Sequence, residues 1–289
     1  MTPNVLEMTV LAVVLCPLFC AASSGSQHPH LRVAMAQIRV EDGDLAGNVR
    51  RAGEAARAAA KQGANLVCLP EAADYGWLYQ DARKDAFPIP GRYTDFLCSL
   101  AKELKVWVCG GCLERDGDRV YNSAVIIDRR GRIVLKHRKI STLPEITAHI
   151  YDAGPKDGVS TAETEFGRLG LTICADNFNL KIPQRAADQG AWLLITPHGF
   201  AESPGRFAQN AKGYQEHIRN IAKHTKMWVV GTDAVMGKVT GGAWKGKYHV
   251  GCSTIANPAG EAVAVGKFLH PDLIIYDIVR ASETADERR

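Results

Sequence analysis

Two stretches of the sequence share one pattern: GANLVCLP at residues 63–70 and GAWLLITP at residues 190–197. In each, a glycine that ends a predicted helix is followed by a short apolar run typical of a buried strand. An earlier apolar strand precedes each helix, at Leu31–Gln37 and at Leu169–Ile173. The repeat predicts an α/β fold made of two similar β-α-β halves that face each other across one core.

The segments around the repeat supply the remaining predicted elements. Apolar spacing predicts helices at Leu45–Gln62, Ile182–Gln189 and Ala208–Thr225, and the Gly-rich stretch Gly237–Gly246 is predicted to be a loop. Further strands are predicted at Val106–Cys109, Val120–Asp128, Ile133–His137, Met227–Thr232, Cys252–Ala256, Ala262–Val265 and Leu273–Ile278. No linker divides this region, so we expect one compact domain over residues 31–280 and a polar tail at residues 281–289.

Composition excludes a collagen, a coiled coil and a polytopic membrane protein. The chain has 289 residues, of which 46% are hydrophobic and 23% are charged, as in ordinary globular proteins. The net charge of +4 is small for this length, and no basic run concentrates it. We therefore expect no nucleic-acid partner.

The N-terminal segment predicts export. Residues 8–20 are almost wholly apolar (MTVLAVVLCPLFC), and the small residues AASSG follow. This stretch is shorter than the roughly 20 residues that a membrane-spanning helix needs. Residues 1–25 are therefore predicted to be a signal peptide cleaved near Ala22, although no Lys or Arg precedes the apolar run. A retained N-terminal anchor is the alternative, and in either case a periplasmic or secreted protein is expected, with no membrane association of the mature form.

The cysteines outside this segment are predicted to be mostly free thiols. Six remain: Cys68, Cys98, Cys109, Cys112, Cys174 and Cys252. Most lie inside apolar, strand-like runs, as buried free thiols do, so few disulfides or none are expected. Cys109 and Cys112 form a lone C-x-x-C without the second ligand pair that a structural zinc site needs, and the histidines are scattered. No metal site is expected.

Three chemically active side chains stand where apolar strands end. Glu71 follows LVCLP, Lys139 follows the strand at Ile133–Leu135, and Cys174 ends LGLTI. Taken alone, each residue is more typical of packing or of a solvated surface. Catalytic side chains collect at strand ends in α/β sheets, however, and a thiol, a carboxylate and an ammonium together suit nucleophilic catalysis.

Four motifs make the chain resemble a known family. From about Leu31 to Ile278 it is similar to the nitrilase superfamily of carbon–nitrogen hydrolases. The motifs are GANLVCLPE at residues 63–71, YNSAVIID at residues 121–128, HRKI at residues 137–140 and GLTICAD at residues 170–176. The resemblance implies a four-layer α-β-β-α sandwich of two pseudo-symmetric halves, a homodimer, and no cofactor.

The resemblance also implies roles for individual residues. Cys174 matches the nucleophile, Glu71 the general base and acid, and Lys139 the cation beside the developing oxyanion. Glu145 is the expected match to a second glutamate, and the backbone N–H of Ala175 is expected to contact the oxyanion. The implied activity is hydrolysis of a non-peptide carbon–nitrogen bond in a small amide, through a Cys thioester, with release of ammonia or an amine.

The substrate subclass stays open at this point. Members of the family act on amides, N-carbamoyl amines and nitriles. The family often has an Arg-Phe-Pro-Glu-like run after the nucleophile, which here reads NFNLK at residues 177–181, and Ala175 stands where an aromatic residue is common. Residues after the catalytic strand ends are predicted to line the pocket: Tyr75, Trp77, Asn177, Phe178, His198 and Phe200.

Two rival interpretations come from other functional classes. One is a non-catalytic exported binding protein that keeps the fold. The other is a thiol–disulfide protein that uses Cys109 and Cys112. Retention of Glu71, Lys139 and Cys174 together favours the enzyme.

Overall fold

The computed structural model describes residues 30–158 and 160–280. The predicted signal peptide at residues 1–25 and the polar tail at residues 281–289 lie outside the described residues. No helix in the described ranges is both long and apolar enough to cross a membrane.

The described chain alternates strands and helices through most of its length. The strands, in chain order, are β1 His30–Gln37, β2 Leu66–Cys68, β3 Trp107–Asp116, β4 Arg119–Ile127, β5 Ile133–Arg138, β6 Ser160–Thr164, β7 Gly167–Leu171, β8 Leu193–His198, β9 Ala201–Glu202, β10 Trp228–Asp233, β11 Val235–Lys238, β12 Tyr248–Val250, β13 Thr254–Ala256, β14 Ala262–Val265 and β15 Asp272–Val279. The α-helices are α1 Leu45–Lys61, α2 Ala82–Asp85, α3 Arg92–Leu104, α4 Pro144–Thr147, α5 Lys181–Asp188 and α6 Phe207–Thr225.

Most strands belong to two six-stranded sheets with the same internal plan. The first has the order β15-β1-β2-β3-β4-β5 and the second the order β14-β13-β10-β8-β7-β6. In the first sheet β1, β2 and β3 are parallel, and in the second β7, β8 and β10 are parallel; antiparallel strands flank both sets. The predicted pair of similar β-α-β halves is therefore confirmed.

Packing of the two sheets produces four layers. Val33 and Met35 of β1 and Leu193 and Ile195 of β8 belong to one apolar core that both sheets share. The alternate residues on each strand face outward, as the two-residue period of a strand requires. Helices α1 and α3 cover the outer face of the first sheet, and α5 and α6 cover that of the second. The predicted α-β-β-α sandwich is confirmed.

Several boundaries differ from the predictions. Strand β3 continues to Asp116 instead of ending at Cys109, because β4 pairs with it along its whole extension. Helix α3 was not predicted from the sequence. The stretch Gly237–Gly246 is not wholly a loop, since β11 extends to Lys238 and pairs with β12, which also pairs with β9 in a small third sheet. Strand β13 begins two residues after Cys252, whose φ of 64° is incompatible with a strand.

A glycine on β3 allows the segment after β2 to approach closely. The Gly111 N–H donates to the Pro70 carbonyl at 3.2 Å, and the Ala73 N–H donates to the Gly111 carbonyl at 2.9 Å. A Cβ at Gly111 would lie 2.7 Å from the Glu71 Cα and 2.6 Å from the Ala72 nitrogen. These are backbone atoms, so they cannot move aside cheaply.

Substitution Gly111→Ala is expected to lower the free energy of unfolding by about 1–3 kcal/mol through overpacking. Gly213→Ala is the control, because Gly213 lies on an exposed turn of α6 with nothing within 4 Å of an added Cβ. That change should stabilise the protein by up to about 1 kcal/mol through helix propensity. Urea unfolding monitored by circular dichroism measures both, and equal midpoints for the two variants would contradict the packing argument.

Candidate active site

The three strand-end residues predicted from the sequence meet in the interior. Glu71 follows β2, Lys139 directly follows β5, and Cys174 begins a short 3-10 helix after β7. Glu71 and Lys139 are each 1% exposed and Cys174 is 5% exposed. The first sheet thus supplies the acid and the cation, and the second supplies the thiol.

Glu71 and Lys139 form a buried ion pair. The Lys139 Nζ donates to Glu71 Oε1 at 2.6 Å, and the Asn122 Nδ2 donates to the same oxygen at 2.7 Å. The other carboxylate oxygen, Oε2, is buried without a hydrogen-bond partner among the described residues. Two donors therefore fix the carboxylate through one oxygen and leave the second available to accept a proton.

The Lys139 ammonium stays charged in this setting. Burial alone would lower its pKa, but the negative charge of Glu71 and the hydrogen bond to that carboxylate raise it, and the net pKa lies above the usual value. The ammonium also lies 5.0 Å from the centre of the Trp77 ring, a cation–π contact.

Cys174 occupies a strained turn held by its neighbours. Its φ is 42°, in the left-handed region that non-glycine residues avoid. The Asn177 Nδ2 donates to the Cys174 carbonyl at 3.1 Å and to Thr196 Oγ1 at 2.8 Å, while the Thr172 hydroxyl donates to Asn177 Oδ1 at 2.9 Å. This buried network fixes the direction in which the thiol points.

The Cys174 thiol is neutral at rest. Burial and the negative Glu71 raise its pKa well above the ordinary value, whereas the Lys139 cation and an N–H donated by Gly199 act in the opposite direction. The same interactions show that the sulfur lies within electrostatic reach of both charged groups. A base must therefore remove the proton before the sulfur can act as a nucleophile.

Gly199 lies where the thiol and the free carboxylate oxygen meet. Its N–H points to the Cys174 sulfur, and a Cβ at this position would lie 3.2 Å from Glu71 Oε2 and 2.7 Å from Trp77 Cδ1. The Trp77 Nε1 is also buried and has no partner among the described residues. A buried donor and a buried acceptor without partners among the described residues thus lie beside Gly199, whose N–H interacts with the sulfur.

The structure separates the predicted pocket residues into two groups. Trp77 and Ala175 are buried at the cluster, and the carbonyl of buried His198 accepts the Glu71 N–H at 3.2 Å. Phe200 follows Gly199 and packs against His198. By contrast, Tyr75 stacks on Tyr79, and Phe178 is 55% exposed with one edge against His217.

The structure does not bring Glu145 into the cluster. Glu145 is exposed on α4 and shares no hydrogen bond or ion pair with the described residues of the cluster. The single turn of α4 lies between two residues with left-handed backbone conformations, Leu143 before it and Ala148 after it. The side chain that this turn buries is Thr147. The second polar partner of Glu71 is Asn122, which sequence reasoning missed although it lies in the YNSAVIID motif.

The cysteine geometry argues against a thiol–disulfide site. Cys109 faces the core between the sheets and Cys112 faces the helix layer, because residues three apart on a strand lie on opposite faces. All six cysteines that the structure describes are free thiols. Within the same residues, no group of three or more His, Cys, Asp or Glu side chains could hold a metal ion.

Comparison with known proteins gives one consistent result. A family model described as carbon-nitrogen hydrolase matches residues 32–288. The chain is 30% identical to omega-amidase NIT2 of Bos taurus over 268 residues, covering 89% of this chain and 91% of the relative. It is 28% identical to a nitrilase of Pyrococcus abyssi, covering 86% and 89%. The fold matches the crystal structure of Saccharomyces cerevisiae Nit3, a member of branch 10 of the nitrilase superfamily, with a TM-score of 0.74, 23% identity and coverage of 86% and 90%.

The position of Gly199 predicts that Gly199→Ala slows alkylation of Cys174 by iodoacetamide roughly 10-fold at neutral pH, because the methyl group displaces Glu71 Oε2 from the thiol. Peptide mass spectrometry measures the rate, in a Cys98→Ser background that removes the half-buried competing thiol.

Gly205→Ala is the matched control for this test. It changes the same connection between β8 and α6, at a site with nothing within 4 Å of an added Cβ. Equal alkylation rates for the two variants would show that Gly199 does not adjoin the reactive pair.

Proposed function

The chain belongs to the carbon–nitrogen hydrolase family, within the nitrilase superfamily, and we propose that it cleaves a small amide through a thioester on Cys174. The observation that carries this proposal is the convergence of Glu71, Lys139 and Cys174 in one buried cluster, with Glu71 Oε2 free to accept a proton.

Attack begins with proton transfer from the thiol. Because the resting thiol is neutral, Glu71 Oε2 takes its proton as the sulfur bonds to the amide carbon. Lys139 and Asn122 hold the other oxygen, so the carboxylate need not rotate during the transfer. The step forms a carbon–sulfur bond and leaves Glu71 protonated.

The tetrahedral intermediate carries its negative charge on the former carbonyl oxygen. The Lys139 ammonium and the backbone N–H of Ala175, the first after the nucleophile, stabilise this oxygen. A donor fixed before the reaction is worth more here than in water, since Lys139 is almost fully buried.

Collapse of the intermediate breaks the carbon–nitrogen bond. The proton on Glu71 passes to the departing nitrogen, so ammonia or an amine leaves neutral and Cys174 keeps the acyl group. Glu71, again a carboxylate, then takes a proton from the water that attacks the thioester. The acid leaves, and the proton returns to the thiol.

A small terminal amide is the substrate that the polar groups suit best. A primary amide has both N–H donors and a carbonyl acceptor, which complement the free Glu71 Oε2 and the Trp77 N–H. The name omega-amidase of the bovine relative supports a terminal amide. N-carbamoyl amines and nitriles are the alternatives, and activity on either would appear in the same ammonia assay.

We also propose that the enzyme is exported and forms a homodimer. The apolar run at residues 8–20, followed by small residues, supports a signal peptide. Phe178 supports contact between two protomers beside the nucleophile. Its aromatic side chain is exposed at the end of the 3-10 helix that Cys174 begins, and aromatic residues are enriched in protein interfaces.

Substitution Cys174→Ala is expected to abolish ammonia release from a panel of small amides, because no other thiol of the described residues has the Glu71–Lys139 pair beside it. Enzyme-coupled ammonia detection measures the loss, and circular dichroism checks that the variant folds. Cys98→Ser is the control and should keep full activity, since Cys98 lies on α3, outside the cluster. Ammonia release by the folded Cys174→Ala variant would refute the proposed nucleophile.

Substitution Lys139→Gln is expected to lower kcat by roughly 10²–10³-fold, the usual cost of removing one oxyanion donor, with a smaller change in KM. Glutamine keeps an N–H for Glu71 but removes the charge. Lys136→Gln on β5 is the matched control, because its ammonium pairs with Glu114 instead. Steady-state ammonia release measures both variants, and similar kcat values for the two would exclude an electrostatic role for Lys139.

A further inference from the structure

Asp176 lies two residues after Cys174 and is fully buried. Its Oδ1 accepts the backbone N–H groups of Ile140 at 2.9 Å and Ser141 at 2.8 Å. Its Oδ2 accepts the Ile173 N–H at 3.1 Å and lies 2.8 Å from His137 Nε2. All four contacts of the carboxylate come from protein groups, and the proposed reaction uses none of them.

These four donors come from the two segments that carry the reacting groups. Ile140 and Ser141 directly follow Lys139, and His137 lies two residues before it. Ile173 directly precedes Cys174. One carboxylate therefore bridges the end of β5, in the first sheet, and the turn after β7, in the second.

Such a bridge has a physical purpose in a sandwich of two sheets. The sheets pack through apolar side chains, and hydrophobic contact is non-directional, so it does not by itself fix their relative position to a fraction of an ångström. Hydrogen bonds are directional. The Asp176 contacts, with the Glu71 N–H to the His198 carbonyl on the other side, fix the sheets at the site.

The side-chain partner of Asp176 is His137. His137 Nε2 faces the Asp176 carboxylate, and its Nδ1 lies 3.2 Å from the Gly158 carbonyl oxygen. The His137 ring therefore lies between two acceptors, one at each ring nitrogen. Burial would raise the pKa of Asp176, but His137 and the backbone donors hold it below its usual value. The carboxylate is therefore ionised and accepts at both oxygens.

We propose that Asp176 and His137 form a hydrogen-bonded clamp that positions the Lys139 ammonium against the Cys174 thiol. Both are positioning residues, since they act on the reacting groups through the backbone of Ile140, Ser141 and Ile173. The proposal rests on the proposed roles of Lys139 and Cys174.

The first test is steady-state kinetics of Asp176→Asn. The amide cannot accept at both ends, so at least one bridging contact is lost and Lys139 moves relative to Cys174. A displacement on the order of 1 Å is expected to lower kcat by roughly 10–100-fold, with KM changed by less than about 3-fold.

Asp128→Asn is the matched control. Asp128 accepts the N–H groups of Arg130 and Arg132, both at 2.9 Å, in the turn before β5, at the end of that strand remote from Lys139, and its variant should keep full kcat.

His137 supplies a second, independent pair of variants. His137→Gln keeps an N–H for Asp176, whereas His137→Leu removes it. We expect kcat to fall in the order wild type, Gln, Leu, so that the conservative change partly rescues the function. If Asp176→Asn does not fold, the two His137 variants test the proposal in its place. Equal kcat for the wild type and a folded His137→Leu variant would overturn the clamp.

The pH profile of Cys174 alkylation tests the clamp without any substrate. The titratable groups that face this thiol are Glu71, Lys139, Asp233 and Tyr214. Loss of the Asp176 charge alone would lower the apparent pKa of the thiol, whereas withdrawal of Lys139 would raise it. We expect an upward shift in Asp176→Asn, measured with iodoacetamide in the Cys98→Ser background. An unchanged or lowered midpoint contradicts the clamp, whereas a wild-type enzyme that releases no ammonia from any amide contradicts only the proposed function.

Discussion

The buried ion pair between Glu71 and Lys139 is the interaction on which the rest of the site depends. Transfer of either charge from water into the core is costly unless a partner compensates it, and removal of one partner leaves the other uncompensated. At 2.6 Å, with Asn122 on the same oxygen, the pair satisfies one side of the carboxylate and leaves the other side free. The ion pair thus stabilises the fold locally and prepares a base in the proposed reaction.

The sandwich accounts for how a thiol reaches this pair from a distant part of the chain. Each sheet places the carboxyl ends of its parallel strands at one edge, and the two edges meet because the sheets share a core. Cys174 adopts a strained left-handed conformation there, which the Asn177 network maintains. Gly199 has no side chain, so the free carboxylate oxygen of Glu71 and the Trp77 indole can both lie close to its Cα. The strain and the free polar atoms occur at the same place, as expected where a substrate binds.

Local sequence patterns predicted much of this fold, because periodicity and strand-end position are local properties. The internal repeat, both sheets' central strands and the positions of Glu71, Lys139 and Cys174 followed from them. The position of Glu145 did not follow from local patterns. A single helical turn between two residues of left-handed backbone conformation determines which side chain faces inward, and spacing along the sequence does not show this. Asn122, Gly199 and the contact between His137 and Asp176 are interactions between distant segments. Asn122 reaches Glu71 within the first sheet, whereas the contacts of Gly199 and of the His137–Asp176 pair need both sheets to assemble.

The central claim is that the substrate's acyl group passes through the sulfur of Cys174, and trapping with hydroxylamine tests it most directly. Hydroxylamine intercepts a thioester, so turnover of an amide in its presence should yield the hydroxamate, and acid-quenched enzyme should carry the acyl mass on the peptide that contains Cys174. If the amide is consumed and ammonia is released while no hydroxamate forms and Cys174 stays unmodified at every quench time, the account is contradicted.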